Sequence, residues 1–505
     1  MMRIVGPPGT GKTTTLIRYV AEALAEGINP HQIGFFSFTR RACNEAKQRA
    51  SEEFGFNPDE DLPWFRTLHS LALRLSDVSK DQIMQTKHYS EFAQTAGINL
   101  GTEYLDTEES LAGLLRNNHP ILSVINLARI RKSNLKTEYN NTEINYPWNI
   151  VQHVAESYEK YKVKNDMVDF TDLLSQFVPV ARERLPHLKL SLLDEAQDLS
   201  LLQWDIAFSI EECSHKMFCA GDDDQAIYRW SGADVDTFIG LDGNLEVLEN
   251  SYRLPRKVYE VSQRVAQRIK KRVPKSFRPM PREGEVHILY DVPYSFLKEG
   301  QWLILAQTNY MLGKIEQQLK QLGYLYSINF KRSIDEKVTL AVNSWERLRK
   351  GKRIDLRGAK AMYGLMTGNG KHIARGYKNI KVDDDEITFS LSDLQNDYGL
   401  LIGDDLIWHE ALNRIPAENR AYIIALMRKG EKFNATPRIS LSTIHGAKGA
   451  ECDNVILLSD ISTASEKEFH RNPDDLHRVF YVAVTRAKER LYLVQAEDFD
   501  KSYQF

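Results

Sequence analysis

The sequence predicts an α/β protein built on parallel sheets, and three observations support this fold class. Residues 6–13 have the sequence GPPGTGKT and follow a short apolar segment at 2–5. Apolar segments with strand character then alternate with segments of helical periodicity, which is typical of βαβ units. One predicted strand, at 190–193, runs directly into the acidic pair Asp194-Glu195. Polar residues at strand ends are expected where an open α/β sheet binds its ligands.

Residues 6–13 fit the phosphate-binding pattern GxxxxGK[ST] in full. A helix is predicted after them, because apolar residues have helical spacing from Leu16 to Leu24 and Gly27 is a stop signal. Backbone N–H groups of such a loop can surround phosphates. The alternative is a glycine-rich turn before an ordinary helix. The residues predicted to bind nucleotide here are Gly6, Pro7, Pro8, Gly9, Thr10, Gly11, Lys12, Thr13 and Thr14.

Residues 33–38 predict a second strand that runs into a helix near Thr39. Phe38, Thr39 and Arg40 place an aromatic ring, a hydroxyl and a guanidinium at this strand end, which suits contact with phosphates and bases. The alternative is a solvated, basic start of a helix. A weaker pattern of the same kind occurs at 66–70 (RTLHS).

Between residues 71 and 166 the strand pattern stops, and stretches such as 108–116 and 151–161 are helical and polar. A helical insertion is predicted here. Its basic stretch at 129–136 is interpreted as a solvated face rather than a binding site.

The strand at 190–193 ends at Asp194 and Glu195, which complete the predicted nucleotide-hydrolysis site. Lys12 would contact the β- and γ-phosphates, and the Thr13 hydroxyl and Asp194 would bind Mg²⁺. Glu195 can orient and deprotonate the attacking water. The alternative is an acidic loop after an ordinary buried strand.

A further strand at 216–220 precedes the stretch GDDDQAIYRWSGAD at 221–234. Gln225 lies just past the strand end and can reach a γ-phosphate. Tyr228 and Trp230 can offer flat faces to bases, and such stacking suits single-strand binding. The alternative is that both rings are core aromatics in a loop.

The composition is that of an ordinary globular protein, with 42% hydrophobic and 27% charged residues among 505. A formal net charge of −3 excludes a globally basic nucleic-acid-binding body, so any DNA site is expected to be local. Four cysteines without CxxC spacing argue against a zinc site or a disulfide framework. No apolar run approaches the roughly 20 residues that a membrane-spanning helix needs, and the N-terminal sequence does not resemble a signal peptide. The sequence therefore predicts a cytoplasmic protein that is not embedded in a membrane.

Taken in order, the motifs resemble those of the UvrD/Rep/PcrA-like helicases of superfamily 1A. The stretch at 221–234 closely resembles that family's GDxDQSIYRWRGAD, its motif III. The other matching segments are 5–13 (motif I), 36–47 (motif Ia), 192–198 (motif II), 250–253 (motif IV), 439–451 (motif V) and 481–487 (motif VI).

The resemblance implies two RecA-like domains, 1A and 2A, with ATP and Mg²⁺ in the cleft between them. A helical subdomain 1B would interrupt 1A, and a short subdomain 2B would interrupt 2A. The implied boundaries are 1–70 (1A), 71–166 (1B), 167–250 (1A), 251–330 (2A), 331–432 (2B) and 433–505 (2A).

The resemblance also implies roles for single residues. Tyr252 would stack on the adenine, and Glu451 would meet the ribose or help to sense the nucleotide. Arg253 and Arg486 would reach across to the γ-phosphate as arginine fingers, completing a catalytic set with Lys12, Glu195 and Gln225. The residues implied to line the DNA path are Phe38, Thr39, Arg40, Thr67, His69, Tyr228, Trp230, Thr443 and His445.

The function implied by the resemblance is an ATP-dependent DNA helicase that moves 3′→5′ on single-stranded DNA and unwinds duplex DNA. Two alternatives stay open: a translocase that removes bound proteins without efficient unwinding, and a nucleotide-switched DNA-binding module. The expected partners are single-stranded DNA and single-strand/duplex junctions, with a replication, repair or defence protein as a further partner. A monomer is expected.

Several features depart from the family pattern. No glutamine motif precedes the phosphate loop, Thr14 stands where relatives carry an arginine, and Ser231 replaces another arginine. The first two changes predict a thinner adenine pocket, and Ser231 predicts a weaker grip on DNA. The predicted 2B is short, and no added nuclease domain is expected.

The composition of three further segments predicts their character. The dense basic run at 267–278 is predicted to be a solvated helix end and loop. Residues 367–371 (TGNGK) favour a plain hairpin turn over a contact with duplex phosphates. Residues 383–386 (DDDE) predict an exposed acidic loop rather than a metal site.

Overall fold

The computed structural model describes residues 1–99, 119–382 and 386–505, so the predicted helix at 108–116 and most of the predicted acidic loop at 383–386 lie outside the described residues. The described chain divides into two compact units. The first unit comprises Met1–Gly284, Lys467–Thr485 and Phe505, and the second comprises Glu285–Glu466 and Arg486–Gln504. The six domain boundaries stay a prediction.

The first unit is organised on a six-stranded sheet whose strand pairs are all parallel. Its order is β3-β2-β4-β5-β1-β6, which places the carboxyl ends of the strands at one edge. The strands are β1 (Met2–Val5), β2 (Ile33–Ser37), β3 (Phe65–Thr67), β4 (Leu188–Asp194), β5 (Ser214–Gly221) and β6 (Leu245–Val247). Because β2 is buried along its whole length, the sheet is covered on both faces there.

Helices cover this sheet and form the predicted insertion. The first of them packs Leu16, Ile17 and Val20 against the sheet, as their spacing predicted. The helices are α1 (Lys12–Ala25), α2 (Arg40–Phe54), α3 (Leu68–Leu75), α4 (Thr86–Ala96), α5 (Pro120–Ile130), α6 (Leu135–Asn141), α7 (Trp148–Lys164), α8 (Phe170–Phe177), α9 (Ala181–Arg184), α10 (Leu201–Glu212), α11 (Val235–Gly240) and α12 (Arg256–Ala266).

Helices α4, α5 and α7 share a core of their own, which includes Phe92, Ile125 and Val151. This confirms a helical insertion among the described residues. Its apolar core is separate from the two cores that flank the six-stranded sheet.

Arg129 corrects the interpretation of the basic stretch at 129–136 as a solvated face, whereas Lys132 and Lys136 are exposed as that interpretation expects. The Arg129 guanidinium lies 2.6 Å from an Asp169 carboxylate oxygen, and the Lys162 ammonium lies 2.7 Å from Asp172. Burial would raise the pKa of Asp169, but Arg129 and Lys162 outweigh it and hold that pKa below its usual value. A buried charge needs such partners, and here the paired residues are 40 positions apart for Arg129 and Asp169 and 10 apart for Lys162 and Asp172.

The second unit has a seven-stranded sheet of order β10-β9-β13-β8-β14-β15-β7. All its strand pairs are parallel except β9–β10, which is antiparallel. The strands are β7 (Glu285–Leu289), β8 (Trp302–Ala306), β9 (Tyr326–Ile328), β10 (Lys331–Arg332), β13 (Ile439–Thr443), β14 (Cys452–Leu458) and β15 (Ala487–Val494), with a separate antiparallel pair β11 (Ile354–Asp355) and β12 (Thr388–Phe389). Parallel sheets in both units confirm the predicted α/β class.

Helices of the second unit pack on this sheet and on the small pair β11–β12. They are α13 (Asn309–Leu322), α14 (Glu336–Arg349), α15 (Leu356–Leu365), α16 (Leu391–Asn396), α17 (Trp408–Ala411) and α18 (Ala417–Lys429). The stretch at 367–371 is a turn closed by the Gly370 N–H, which donates to the Ile373 carbonyl at 2.9 Å. The predicted turn is therefore present, and a contact with duplex phosphates stays the open alternative.

Two last helices, α19 (Thr463–Arg471) and α20 (Pro473–Val484), bring the chain back to the first unit. The chain leaves that unit again after Thr485. Within the described ranges, no helix combines the length and hydropathy that a membrane-spanning segment requires.

Candidate nucleotide and nucleic-acid sites

The phosphate loop joins β1 to α1, as predicted, and two glycines give it its shape. A Cβ atom at Gly6 would lie 2.0 Å from Cγ of Lys12, so only glycine lets the lysine fold across the loop. The Lys12 ammonium donates a hydrogen bond to the Gly6 carbonyl at 2.9 Å. Gly9 has a φ of +73°, and a Cβ there would lie 2.3 Å from Cβ of Arg253. The first turn of α1 has N–H groups without intrahelical partners, as an anion site needs.

Thr13 and Asp194 come together as the predicted cation ligands. The Thr13 hydroxyl donates to the Asp194 carboxylate at 2.8 Å. Burial and the neighbouring Glu195 raise the pKa of Asp194 to about 6, although Lys12 and the Thr13 hydrogen bond oppose the rise. A buried carboxylate that lacks a full counter-charge, beside a hydroxyl, is a donor set that fits Mg²⁺.

Glu195 follows β4 in a left-handed conformation with a φ of +54°. Such a backbone is uncommon for a residue with a side chain, and it turns the chain sharply after Asp194. The side-chain Nε2 of Gln197 donates to the Glu195 carboxylate at 2.5 Å, and its side-chain Oε1 accepts from the Asp222 backbone N–H at 3.0 Å. Gln197 therefore connects the predicted general base to the strand end after β5.

Gln225 is held in place by a buried charge cluster. Its amide donates to the Asp222 carboxylate at 2.6 Å. The Lys275 ammonium lies 3.0 Å from Asp222, 2.5 Å from Asp223 and 3.0 Å from Asp224, and all four side chains are 0% exposed. The three carboxylates raise the pKa of Lys275, although burial alone would lower it.

This cluster corrects the prediction of a solvated basic run at 267–278 for Arg272 and Lys275, whereas Lys270, Lys271 and Arg278 are exposed as predicted. Besides Lys275, the run contributes Arg272, which forms a forked pair with Asp224. Helix α20 completes the arrangement, because the Arg478 guanidinium donates to the Asp223 carbonyl at 2.9 Å. The basic run therefore forms part of the frame of the predicted catalytic residues.

Residues 251–253 contact the phosphate loop within the first unit. The Ser251 hydroxyl donates to the Pro8 carbonyl at 2.8 Å, and the Tyr252 N–H donates to the Gly9 carbonyl at 2.7 Å. The Tyr252 ring is largely exposed and free to stack. Arg253, which the predicted boundaries assign to domain 2A, lies in the same compact unit as the loop.

Arg486 and Glu451 both belong to the second unit. Arg486 is buried, and its guanidinium donates to the Ala450 carbonyl at 3.1 Å. Glu451 lies 3.9 Å from the Lys488 ammonium. Within that unit they are close in space, since the Cys452 N–H donates to the Arg486 carbonyl.

Thr14, which replaces the arginine of relatives, is hydrogen-bonded to an arginine from another helix. The Arg49 guanidinium, from α2, donates to the Thr14 hydroxyl at 3.3 Å. Both line an open cavity of about 610 Å³ between α1 and α2, together with Ile17, Arg18, Ala21, Glu52 and Glu53. A guanidinium thus stands next to the position where the sequence lacks one.

The predicted aromatic contacts of the first unit differ in exposure. Trp230 is 56% exposed and can offer a ring face. Phe38 is 6% exposed, and its ring stacks on Tyr228 with centroids 6.0 Å apart. Phe38 therefore supports the segment of Tyr228 and Trp230 rather than presenting a face itself.

Thr39 and Thr67 are the N-caps of α2 and α3. Their hydroxyls accept hydrogen bonds from the Ala42 and Ser70 N–H groups, each at 3.2 Å. Arg40 begins α2, next to this cap. Both threonines therefore fix the directions of helices whose first turns lie at the strand ends.

Burial of His69 favours the neutral form of its imidazole. Its Nε2 is buried without a hydrogen-bond partner among the described residues, and burial lowers the pKa of its imidazole to about 4. Its ring packs edge-on against Phe170. Any contact of His69 with DNA is therefore not an ion pair at neutral pH.

The lowered pKa of His69 predicts a loss of stability in acid. The unfolded chain binds a proton near pH 6.5 and the folded state only near pH 4, so the free energy of unfolding should fall by about 1.4 kcal/mol per pH unit within that window. Urea titrations at pH 6.5, 5.5 and 4.5 should show a smaller loss for His69→Gln than for the unchanged protein. Equal losses in both proteins would contradict the prediction.

The predicted DNA contacts of the second unit, Thr443 and His445, lie at the carboxyl end of β13. The Thr443 hydroxyl accepts from the Gly446 N–H at 3.1 Å, which shapes the turn that carries His445. The Ile444 N–H donates to the Ala306 carbonyl, so this turn is fastened to the end of β8.

Comparison with known families identifies this arrangement. The family model described as the UvrD/REP helicase N-terminal domain matches residues 1–246. The model described as the UvrD-like helicase C-terminal domain matches residues 439–494, and the two matches together cover more than half of the chain. The chain belongs to the UvrD/Rep helicase family.

Relatives in the UvrD/Rep family are distant and longer. The chain is 26% identical over 358 residues to the ATP-dependent DNA helicase PcrA of Bacillus subtilis (strain 168), covering 66% of this chain and 46% of that relative. It is 24% identical over 298 residues to PcrA of Staphylococcus aureus (strain Mu50), covering 56% and 40%. The chain thus spans less than half the length of these curated relatives. The solved PRRSV helicase is similar at a TM-score of only 0.32, with 12% identity, covering 98% of this chain and 52% of that chain.

Within this UvrD/Rep family chain, the structure brings most nucleotide residues predicted for the first unit to one strand edge. Lys12, Thr13, Asp194 and Glu195 meet there, and Gln225 joins them through Gln197 and Asp222. Sequence reasoning missed Gln197, Asp222 and Lys275 as parts of this network. The glutamine between two acidic residues of motif II was the available signal for Gln197, and nothing local pointed to Lys275.

Proposed function

We propose that this protein is a DNA-stimulated ATPase that moves along single-stranded DNA and separates duplex strands. One observation carries the proposal. A continuous chain of hydrogen bonds leads from Glu195 through Gln197 and Asp222 to Gln225. Gln225 lies only a few residues before Tyr228 and Trp230, so a short segment that is buried as far as Ile227 joins the hydrolytic residues to an exposed ring.

The residues present suit hydrolysis of ATP. Lys12 would release the Gly6 carbonyl and contact the β- and γ-phosphates. Thr13 and Asp194 would hold Mg²⁺, which supplies positive charge against the phosphate oxygens. Glu195 would accept a proton from the attacking water, and Gln225 would contact the γ-phosphate.

Other roles are proposed from the resemblance and from their positions. The Tyr252 ring is exposed, and the Tyr252 backbone N–H is hydrogen-bonded to the phosphate loop, which supports stacking on the adenine. Arg253 would approach the γ-phosphate from within the first unit. Arg486 and Glu451 keep their implied roles as nucleotide contacts. The domain boundaries, a monomeric state and movement in the 3′→5′ direction are also proposed on this basis.

The most direct test is an ATPase assay with and without single-stranded DNA. Turnover should rise with DNA, and the DNA affinity should fall with salt, because phosphate contacts release counterions. Lys12→Ala should abolish turnover. Absence of stimulation by single-stranded DNA would overturn the proposed motor.

Strand separation and direction need their own assay. Duplexes with a 3′ or a 5′ single-stranded tail should be compared, beside displacement of streptavidin from a biotinylated strand. Unwinding of the 3′-tailed duplex is expected. Unwinding only from a 5′ tail would contradict the direction, and streptavidin displacement without unwinding would favour the translocase.

Trp230→Ala should uncouple ATP hydrolysis from DNA. Loss of one stacked base corresponds to about 1–3 kcal/mol, so DNA affinity should fall about 5-fold or more. Nucleotide affinity should change little, because Trp230 lies outside the phosphate-contacting residues. Trp230→Phe keeps a ring face and should restore most of the stimulation. Equal stimulation of Trp230→Ala and the unchanged protein would contradict this role.

A further inference from the structure

Two aromatic side chains of the second unit are exposed at the strand edge that carries Thr443. Tyr310 is 80% exposed in the first turn of α13, shortly after the end of β8. Phe330 is 60% exposed in the turn between β9 and β10. Strands β8, β9 and β13 are parallel neighbours, so their carboxyl ends share one edge.

Hydrogen bonds fasten these two positions to that edge. The Asn329 side-chain amide donates to the side-chain oxygen of Asn309 at 3.1 Å, so the residues preceding the two aromatics are joined directly. The Asn329 N–H donates to the Leu441 carbonyl at 2.9 Å. Tyr310, Phe330 and the turn after Thr443 are therefore held on one rigid sheet end.

The backbone at Phe330 is unfavourable for a bulky residue. Asn329 and Phe330 are the two central residues of a two-residue hairpin, with φ values of +47° and +65°. Such a turn prefers Asn followed by Gly, and a side chain in the left-handed region costs about 1–2 kcal/mol. Glycine would therefore suit the fold better, which points to a role for the Phe330 ring outside the fold.

Lysines accompany both rings. Lys314 is exposed one helical turn after Tyr310, and Lys331 is exposed directly after Phe330. Burial raises the pKa of the Asp460 carboxyl, and the positive charge of Lys314 opposes that rise. Exposed rings interleaved with cations suit unstacked bases on a phosphate backbone better than they suit an apolar protein surface.

We propose that Tyr310 and Phe330 form a base-stacking site for single-stranded nucleic acid on the second unit. The backbone of the strand would pass Lys314 and Lys331. This inference rests on the proposed function, and it adds two contacts to those that the family resemblance assigns. Each ring would hold one base by stacking, independently of its sequence.

The test measures binding of a fluorescein-labelled oligothymidine to the full chain by anisotropy. Tyr310→Ser and Phe330→Gly should each weaken binding about 5-fold or more, and the double variant should weaken it further. Phe330→Gly relieves the left-handed strain, so its melting temperature should not fall. Tyr290→Ser is the matched control, because Tyr290 is 84% exposed but follows β7 at the opposite margin of the same sheet.

ATP turnover without DNA separates this inference from the proposed function, since it should be the same in all these variants. If DNA stimulates the unchanged protein and the double variant binds oligothymidine as tightly as the unchanged protein does, the proposed stacking site is wrong. The two exposed rings would then be assigned to contact with a protein partner. If DNA does not stimulate the unchanged protein, the proposed motor is wrong instead. Weakening by Tyr290→Ser to the same extent would also overturn a site confined to Tyr310 and Phe330.

Discussion

Glu195→Gln should stop ATP turnover while leaving ATP binding intact. A positioned general base contributes about 10²- to 10⁴-fold to a rate, so kcat should fall by that factor. The amide keeps the size of the carboxylate but accepts a proton poorly. It should also lower the pKa of Asp194, because the charge of Glu195 is one of the causes that raise it. Mg²⁺-dependent binding of ATP should therefore be as tight as before, or tighter.

The measurement combines steady-state turnover with equilibrium binding of a fluorescent ATP analogue. Glu212→Gln is a matched control, because Glu212 belongs to the same unit but pairs with Arg182 at the surface. It should leave both quantities unchanged. Turnover by Glu195→Gln within a few-fold of the unchanged protein would show that another group accepts the proton.

Lys275→Met should damage both stability and catalysis. It removes the cation that faces Asp222, Asp223 and Asp224, and it leaves buried carboxylates without that partner. Breaking a buried ion pair in this way costs about 3–5 kcal/mol. Asp222 also holds Gln225, so turnover should fall about 10- to 100-fold through misplacement of that amide.

Turnover should be measured at low temperature, where circular dichroism shows the variant to be folded. Lys270→Met is the matched control, because Lys270 is an exposed lysine of the same basic run. Lys275→Arg keeps the charge and should recover part of the turnover. If Lys275→Met unfolds like the unchanged protein, the cluster does not stabilise the first unit.

Much of the fold could be predicted from local patterns. The strand at 216–220 and the helix after the phosphate loop follow from apolar runs and helical spacing, and both occur as predicted. Thr13 and Asp194 could be paired from their motifs, since parallel strand ends share an edge. These predictions succeed because their determinants lie within a few residues of each element.

The buried charges could not be predicted in the same way. Lys275 and its partner Asp223 are 52 residues apart, and Arg129 and Asp169 are 40 residues apart. In sequence, such basic runs look like the solvated runs found on most proteins. Only the fold shows which cation pairs with a buried carboxylate, because tertiary packing determines which charged groups are removed from water.

Helix α20 has a consequence for the order in which the protein is made. It completes the first unit, since Arg478 donates to the Asp223 carbonyl and Asp474 accepts the N–H groups of Lys270 and Lys271. Yet about 190 residues, most of them in the second unit, separate it from Gly284. At usual synthesis rates the ribosome needs about 10–40 s to reach it. During that interval the nascent first unit must hold its catalytic frame without its final helix.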